Sequence, residues 1–371
     1  MHRLLLRLTH VKKAVNINAS TSERNIRHQL RLTITRVFGG SKSPRARPIN
    51  VAPTDLLNET MKIAHRFVNV RELYIDLLDP SPLYDLPPLY SSFWSAFGPK
   101  LYTLTLSGTL EDFRTLIHSN PPLDALQELR VEFARSSLDG MDADRAILMN
   151  ILLPFINNLA PHLLSLRLWS WASLDLSSFF LQLAPFPGLK TLNVRTPFNQ
   201  AFRDASGLKD LICNSSGTLR RVNLRLNPTG SVDPSIEEPL SRWLLECISD
   251  ERFLSQLQGL DIYPTTMVAG MEFLLRCIQR TSKDLVELTL RDRYLQGREV
   301  NAVIDAASSC SNLTYLKMNI RTLDVAVMDL LAFKLPKIDR LWLSVGDNVS
   351  NYSLVVCIPH KIKYILTIFL A

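Results

Sequence analysis

The sequence predicts an α/β solenoid of about ten irregular repeats, and three observations support this fold class. A motif of the form Leu-x-x-Leu-x-Leu, with aliphatic variants, recurs along the chain. Its copies begin at Val70, Leu101, Leu126, Leu163, Leu189, Leu219, Leu257, Leu285, Leu313 and Ile338. Successive copies begin 25 to 38 residues apart, and stretches of helical periodicity lie between them. A strand and a helix repeated at such a spacing predict a leucine-rich-repeat horseshoe with a parallel concave sheet and convex helices.

Each repeat is expected to place a helix after its strand, because apolar residues recur there at helical spacing. The pattern predicts helices over residues 142–159, 235–249, 272–281, 300–309 and 324–333, and one over 54–67 before the first repeat. Ser235 is assigned as an N-cap, with Glu237 and Glu238 in the first helical turn. Pro154 is expected to kink the helix that contains it.

The repeats divide the chain into three parts. Residues 1–53 form a basic N-terminal segment, residues 54–345 the solenoid and residues 346–371 an irregular apolar tail. Within the first part, Leu30–Ile34 alternates like a strand and predicts one degenerate repeat, followed by a Gly, Pro and basic loop over 38–50.

The apolar tail lacks the polar terminal cap that most solenoids need. We therefore expect the chain to be truncated there or to pack irregularly. His360, Lys361 and Lys363 interrupt the apolar residues and leave a run well below the ~20 residues of a membrane span. A terminal strand, or sequence foreign to the fold, is favoured over a membrane anchor, and no membrane partner is expected.

The net charge of +7 is distributed unevenly along the chain. Residues 1–50 hold eleven Lys or Arg and the single acid Glu23, a net charge of +10, so the remaining residues sum to −3. The basic pI therefore reflects the N-terminal segment, and it is weak evidence for nucleic-acid binding by the repeats.

The five cysteines are widely separated and show no metal-ligand spacing. Cys213, Cys247, Cys277 and Cys310 fall near the ends of predicted helices, and Cys357 lies in the tail. We interpret them as buried thiols that act as small hydrophobic residues. This usage suits a reducing compartment, and with no convincing signal peptide it favours a cytoplasmic or nuclear location.

Motifs that would indicate catalysis are missing from the sequence. Gly39-Gly-Ser-Lys-Ser43 lacks the spacing of a phosphate loop, and no H-E-x-x-H or G-x-S-x-G occurs. The seven histidines have no ligand spacing. We therefore expect a protein that is not an enzyme, with no catalytic residues, metal or cofactor.

The outward positions of the repeated strands hold the functional information. Core leucines alternate with outward residues, so parallel strands should align the outward residues into columns on the concave face. Several of these positions are basic or aromatic and form a predicted partner-binding patch: Arg167, Trp169, Arg195, Arg221, Arg225, Tyr263 and Arg291. Such side chains often dominate interfaces, and Arg binds carboxylate or phosphate, so an acidic or phosphorylated peptide is the predicted ligand. The alternative is that these side chains only pair with local acids such as Asp261 and Glu287.

The long, irregular repeats resemble those of a known protein family. Motifs such as Leu189-Lys-Thr-Leu-Asn-Val194 and helices such as Trp243-Leu-Leu-Glu-Cys-Ile248 are similar to fungal F-box and leucine-rich-repeat proteins, especially those of mushroom-forming fungi. The resemblance covers about residues 60–345. It implies an N-terminal F-box that docks on the adaptor of a cullin ubiquitin ligase, with repeats that select the substrate. Residues 1–53 show no Leu-Pro-x-Glu opening and no three short amphipathic helices, so the box is absent or degenerate.

Three functions follow from these observations. The leading hypothesis is a non-catalytic protein–protein interaction scaffold that uses the concave face. The alternative is a substrate-recognition subunit of a cullin-type ubiquitin ligase, with the adaptor as a further partner. The third is nucleic-acid binding through the basic N-terminus.

Overall fold

The structure is a computed structural model. It describes residues 3–14, 26–37, 58, 60–62, 64–65, 70–78, 86–117, 121–133, 141–170, 174–226, 234–262, 267–346 and 369–370. The chain forms two compact units, Met1–Leu174 and Asp175–Ala371. Tyr263, Cys357, the loop over 38–50 and most of the tail lie outside the described residues.

The sheet of the first unit follows the order of the chain. Its strands are β1 Arg3–Ala14, β2 Ile26–Val37, β3 Val70–Leu78, β4 Thr103–Gly108, β5 Glu128–Phe133 and β6 Ser165–Ser170. Strands β1 and β2 are antiparallel, and every pair from β2 to β6 is parallel. The strand predicted at Leu30–Ile34 is confirmed as part of β2, which pairs with β3 like a further repeat.

The helices of the first unit are short. They are α1 Pro87–Phe97, α2 Leu110–Ile117, α3 Met141–Ile147 and α4 Leu153–Leu159, with a 3-10 turn at Gly98–Lys100. A π-helical segment, Leu148–Leu152, joins α3 to α4. Pro154 lies in the first turn of α4, directly after this π-helical segment, and the kink predicted at Pro154 stays a prediction. The wider turn accommodates a residue that has no N–H and whose ring would clash with a carbonyl of the preceding turn.

The second unit contains parallel strands throughout its described part. They are β7 Thr191–Arg195, β8 Arg221–Arg225, β9 Gly259–Ile262, β10 Glu287–Leu295, β11 Tyr315–Ile320, β12 Arg340–Val345 and the short β13 Phe369–Leu370. Each pairs with the next along the chain. Strand β13 agrees with the terminal strand predicted for the tail.

Helices alternate with these strands. They are α5 Ser177–Leu181, α6 Ser206–Asn214, α7 Pro234–Ser249, α8 Val268–Arg280, α9 Gly297–Ala307 and α10 Val325–Lys334. The four helices predicted in this unit are confirmed to within a few residues at each end. Helix α7 begins at Pro234, so Ser235 lies in its first turn and the predicted N-cap is wrong; the fixed φ of proline suits a first helical position. Asp324 does cap α10, because its side chain accepts a 2.8 Å hydrogen bond from the Val327 N–H.

The described strands and helices confirm the leucine-rich-repeat solenoid. Strands β3 to β12 coincide with the ten predicted copies of the motif. Their aliphatic residues form the core: Leu104 and Leu106 in the first unit, and Leu288 and Leu290 in the second, are each 0% exposed. Fully burying one such side chain stabilises the fold by ~1.5–3 kcal/mol. The alternate strand residues point away from this core, onto a face that we call the outer strand face.

No helix in the described part of the chain is long and apolar enough to cross a membrane. Residues 58, 60–62 and 64 have helical backbone, in agreement with part of the helix predicted over 54–67.

Candidate partner-binding surface

The strand registers align the outward residues into columns in each unit. In the first unit, the column between the core positions runs Tyr74, Thr105, Arg130 and Arg167, and the column after it runs Asp76, Ser107, Glu132 and Trp169. In the second unit, the first column runs Asn193, Asn223, Asp261, Thr289, Lys317 and Trp342. The column between the core positions is therefore present in both units, whereas the column after it is interrupted at Arg291, where the register between β10 and β11 shifts.

The predicted patch is distributed over both units. Arg167 and Trp169 lie on β6 of the first unit, where the Arg167 guanidinium stands 4.6 Å from the centre of the Trp169 ring. Burial raises the pKa of the Glu132 carboxyl, and the Arg167 guanidinium, 4.0 Å away, partly opposes this rise. The cation–π contact between Arg167 and Trp169 holds these two side chains together as one local cluster.

The other described patch residues lie in the second unit. Arg195 and Arg225 are register partners on β7 and β8. Arg225 is only 6% exposed, whereas Arg195 is half-buried. Arg221 is at the start of β8 and Arg291 is on β10. The structure therefore brings Arg195 and Arg225 together and buries most of the Arg225 side chain, which leaves little of it for a partner.

Two patch arginines form ion pairs with the local acids. Arg221 lies 3.0 Å from Glu287, and Arg291 pairs with Asp261, which also accepts a 2.7 Å hydrogen bond from Asn223. The sequence left open whether these arginines bind a partner or pair locally. Local pairing is present in the structure, and partner binding stays a prediction. The more exposed pair, Arg221 with Glu287, contributes ~0–1 kcal/mol, so Arg221 keeps the capacity to exchange partners.

A groove crosses the outer strand face over four strands of the second unit. We call it the β9–β12 groove; its volume is about 570 Å³. The residues that line it include Asp261, Glu287, Arg291, Tyr315, Lys317, Arg340 and Trp342. Aromatic and cationic side chains therefore meet in one concave site, a combination that favours binding of another protein.

Cations stack on aromatic rings at one end of the groove. The Lys317 ammonium lies 5.7 Å from the centre of the Trp342 ring, and the Arg340 guanidinium lies 4.9 Å from the centre of the Tyr315 ring. Arg340 also lies 3.7 Å from Glu287. Burial raises the pKa of the Tyr315 hydroxyl, so this ring stays neutral at physiological pH.

The residues of the groove were only partly predictable from the repeat pattern. Lys317 and Trp342 stood in a predicted column, but outside the basic stretch of the patch. Tyr315 and Arg340 occupy the outward position just before the first buried strand residue, where Glu287 and Arg221 also lie. Extending the alternation by one position towards the N-terminus of each strand would have found this third column.

The chemistry of the described residues does not indicate a catalytic or metal site. No group of three or more His, Cys, Asp or Glu residues that could hold a metal ion occurs among them. The four described cysteines are buried free thiols, as predicted. Burial raises the pKa of Cys213 to about 11 and that of Cys277 to about 12, and therefore keeps these thiols protonated and unreactive near neutral pH.

Comparison with known proteins adds structural likenesses. No family model matches the chain, and no curated protein matches it. Among solved structures, a chain of the yeast Rad7 and Elc1 complex is similar, with 15% identity, a TM-score of 0.41, and coverage of 85% of this chain and 88% of that chain. The TLR13–ssRNA13 complex is similar with 16% identity and a TM-score of 0.37, over 75% of this chain but 39% of that one. The assignment of the fold rests on the repeats and registers described above.

Proposed function

We propose that this protein is a non-catalytic protein–protein interaction scaffold that binds its partner on the outer strand face. The observation that supports it most is the alignment of polar, cationic and aromatic side chains into columns over a leucine core. The leucines of the motif are buried in the core, whereas the outward residues of β10 to β12 are half-buried or exposed. A surface of this kind, with Arg, Trp and Tyr, favours binding of a protein segment.

The dimensions of the second unit suit an extended segment. From β7 to β12 the sheet is ~24 Å wide, at ~4.8 Å per strand. An extended chain that rises ~3.3 Å per residue would cross it with about seven residues. The described outward positions carry six cations and two acids, so an acidic or phosphorylated segment is the proposed partner class.

The experiment that tests this function is affinity purification with the intact chain and identification of the bound proteins. An outer-face variant carries Arg195→Ala, Arg221→Ala and Arg291→Ala. A matched control outside the strands carries Arg242→Ala, Arg252→Ala and Arg276→Ala. Each control arginine has a carboxylate within 4.0 Å, in Glu238, Asp250 and Glu272 respectively, as Arg221 and Arg291 have in Glu287 and Asp261.

We expect the control to retain the native partners and the outer-face variant to lose them, while thermal melting shows both to be folded. Equal retention by the two variants would contradict the proposal. Recovery of cullin and adaptor subunits among the bound proteins would support the alternative of a ligase substrate receptor. Nucleic-acid capture that weakens steeply with salt would instead support the third hypothesis.

A further inference from the structure

The β9–β12 groove contains acids that are already occupied. Asp261 is engaged by Arg291 and Asn223, and Glu287 lies between Arg221 at 3.0 Å and Arg340 at 3.7 Å. The carboxylates of the groove are therefore paired with side chains of the protein itself. Any charge that remains to attract a partner belongs to the cations.

Two cations of the groove keep charge available. Within the described part of the chain, no carboxylate lies within ion-pair distance of Lys317, whose neighbour is the Trp342 ring. The Arg340 side chain is 54% exposed and shares Glu287 with Arg221. A ring face orients a cation without neutralising it. Lys317 and Arg340 are therefore held in place with positive charge left to bind an anion.

The registers of β11 and β12 arrange these four side chains as a two-by-two array. Tyr315 pairs with Arg340, and Lys317 pairs with Trp342. The two cations are therefore diagonal neighbours, and so are the two rings. From the strand spacing and the rise per residue, backbone positions on such a diagonal lie ~8 Å apart.

We propose that the β9–β12 groove binds an acidic protein segment in extended conformation, with Lys317 and Arg340 each receiving one carboxylate. This inference rests on the proposed function and adds the class of partner and the site at which it binds. Residues i and i+2 of an extended segment lie ~7 Å apart on one face, close to the diagonal between the two cations. The segment that fits best carries acids at alternate positions, which place the carboxylates on the face of the segment that meets Lys317 and Arg340.

The same groove is less suited to nucleic acid. A phosphate backbone would bring a continuous row of negative charges across Asp261 and Glu287, which lie in the lining of the groove. An alternating acidic peptide places its charges only opposite the two cations. Charge complementarity therefore favours the peptide.

The test uses the intact chain and three labelled probes in fluorescence polarisation. The first probe is the peptide Glu-Leu-Glu-Leu-Glu with blocked ends, the second replaces each Glu with Gln, and the third is a single-stranded oligothymidine. The groove variant carries Lys317→Gln and Arg340→Gln. The matched control removes one Lys and one Arg that do not line the groove, Lys337→Gln in the turn before β12 and Arg276→Gln on α8.

We expect the Glu peptide to bind native protein and control equally, and the groove variant about tenfold more weakly. The Gln peptide and the oligonucleotide should bind native protein at least tenfold more weakly than the Glu peptide. Three outcomes would overturn the inference: no binding of the Glu peptide at millimolar concentration, equal binding by the groove variant, or preference for the oligonucleotide. The proposed function is contradicted by a different result: unchanged retention of natural partners by the variant with substitutions at Arg195, Arg221 and Arg291.

Discussion

The outer strand faces of the two units differ in charge although their cores are built alike. The outward residues of β3 to β6 include four acids and two arginines: Glu72, Asp76, Glu128, Glu132, Arg130 and Arg167. Those of β7 to β12 include two acids and six cations: Asp261, Glu287, Arg195, Arg221, Arg225, Arg291, Lys317 and Arg340. The formal charges are −2 and +4. One leucine scaffold therefore supports opposite surfaces, because core and outward positions vary independently.

Strand β4 of the first unit differs in burial from β10 and β11 of the second. On β4, the outward residues Thr103 and Thr105 are 5% and 4% exposed. On β10 and β11, the equivalent residues Glu287, Thr289 and Lys317 are half-buried. Strands β10 and β11 therefore present an accessible surface within the more basic unit, which is why the proposed binding site is placed there.

The largest expected effect concerns what the units share, the leucine core. Leu104→Ala in the first unit and Leu290→Ala in the second should each lower the free energy of unfolding by ~2–5 kcal/mol, because both side chains are fully buried. Thr289→Ala is the control on the outer face and should stay within about 1 kcal/mol of the native protein. Urea denaturation measures all three. A core variant as stable as the control would mean that the alternation is assigned to the wrong face.

The difference in burial can be tested with one substitution at equivalent positions. Thr105→Lys places a charge at a buried site and should destabilise the protein by ~2–4 kcal/mol. Thr289→Lys places the same charge at a half-buried site, where the lysine can extend into solvent, and should change stability by less than about 1 kcal/mol. Thermal melting compares the two variants. Equal destabilisation would remove the distinction between the faces.

The buried thiols of the second unit predict a loss of stability at alkaline pH. Burial raises the pKa of Cys277 from 9.0 to about 12, so the native state keeps a proton that the unfolded state releases. The contribution of the protonated Cys277 thiol to the free energy of unfolding is complete below pH 9, and it is lost as the pH rises from 9 towards 12. The free energy of unfolding should therefore fall between pH 8 and 10.5, and Cys277→Ala should reduce that fall by about 2 kcal/mol. An identical fall in native protein and variant would contradict the assignment.

The smallest expected effect concerns the acids inside the basic face. Glu287→Gln removes the carboxylate shared by Arg221 and Arg340 and should strengthen binding of the Glu peptide by about threefold. Glu128→Gln removes a comparable carboxylate from the first unit, 3.3 Å from Arg130, and should leave binding unchanged. Titration of the labelled peptide measures both. Weaker binding by Glu287→Gln would show that this acid helps the ligand to bind.

The strands could be predicted from the sequence because local patterns determine them. The repeated motif identified β3 to β12, and the alternation of Leu30–Ile34 identified β2, since a residue pair two positions apart always shares a strand face. The columns followed from the same rule and from parallel pairing. The start of α7 was harder to place, because Pro234 and Ser235 are both good residues for the start of a helix.

The details of the candidate site could not be predicted, because they depend on neighbours that are distant in sequence. Burial of Arg225 and the pairing of Arg291 with Asp261, 30 residues away, follow from strand packing and side-chain conformation. The stacking of Lys317 on Trp342 and of Arg340 on Tyr315 joins residues 25 positions apart. Aligning the outward residues of the repeats shows which residues lie side by side on neighbouring strands. It does not show which of them form ion pairs or stack on one another.

The claim that the outer strand face of the second unit binds the partner has one direct measurement. It is the fraction of native partner proteins retained by the variant with Arg195→Ala, Arg221→Ala and Arg291→Ala, relative to the control with Arg242→Ala, Arg252→Ala and Arg276→Ala. We predict near-native retention by the control and loss from the outer-face variant, with both proteins folded. Full retention by the outer-face variant, or equal loss from both, would contradict the claim.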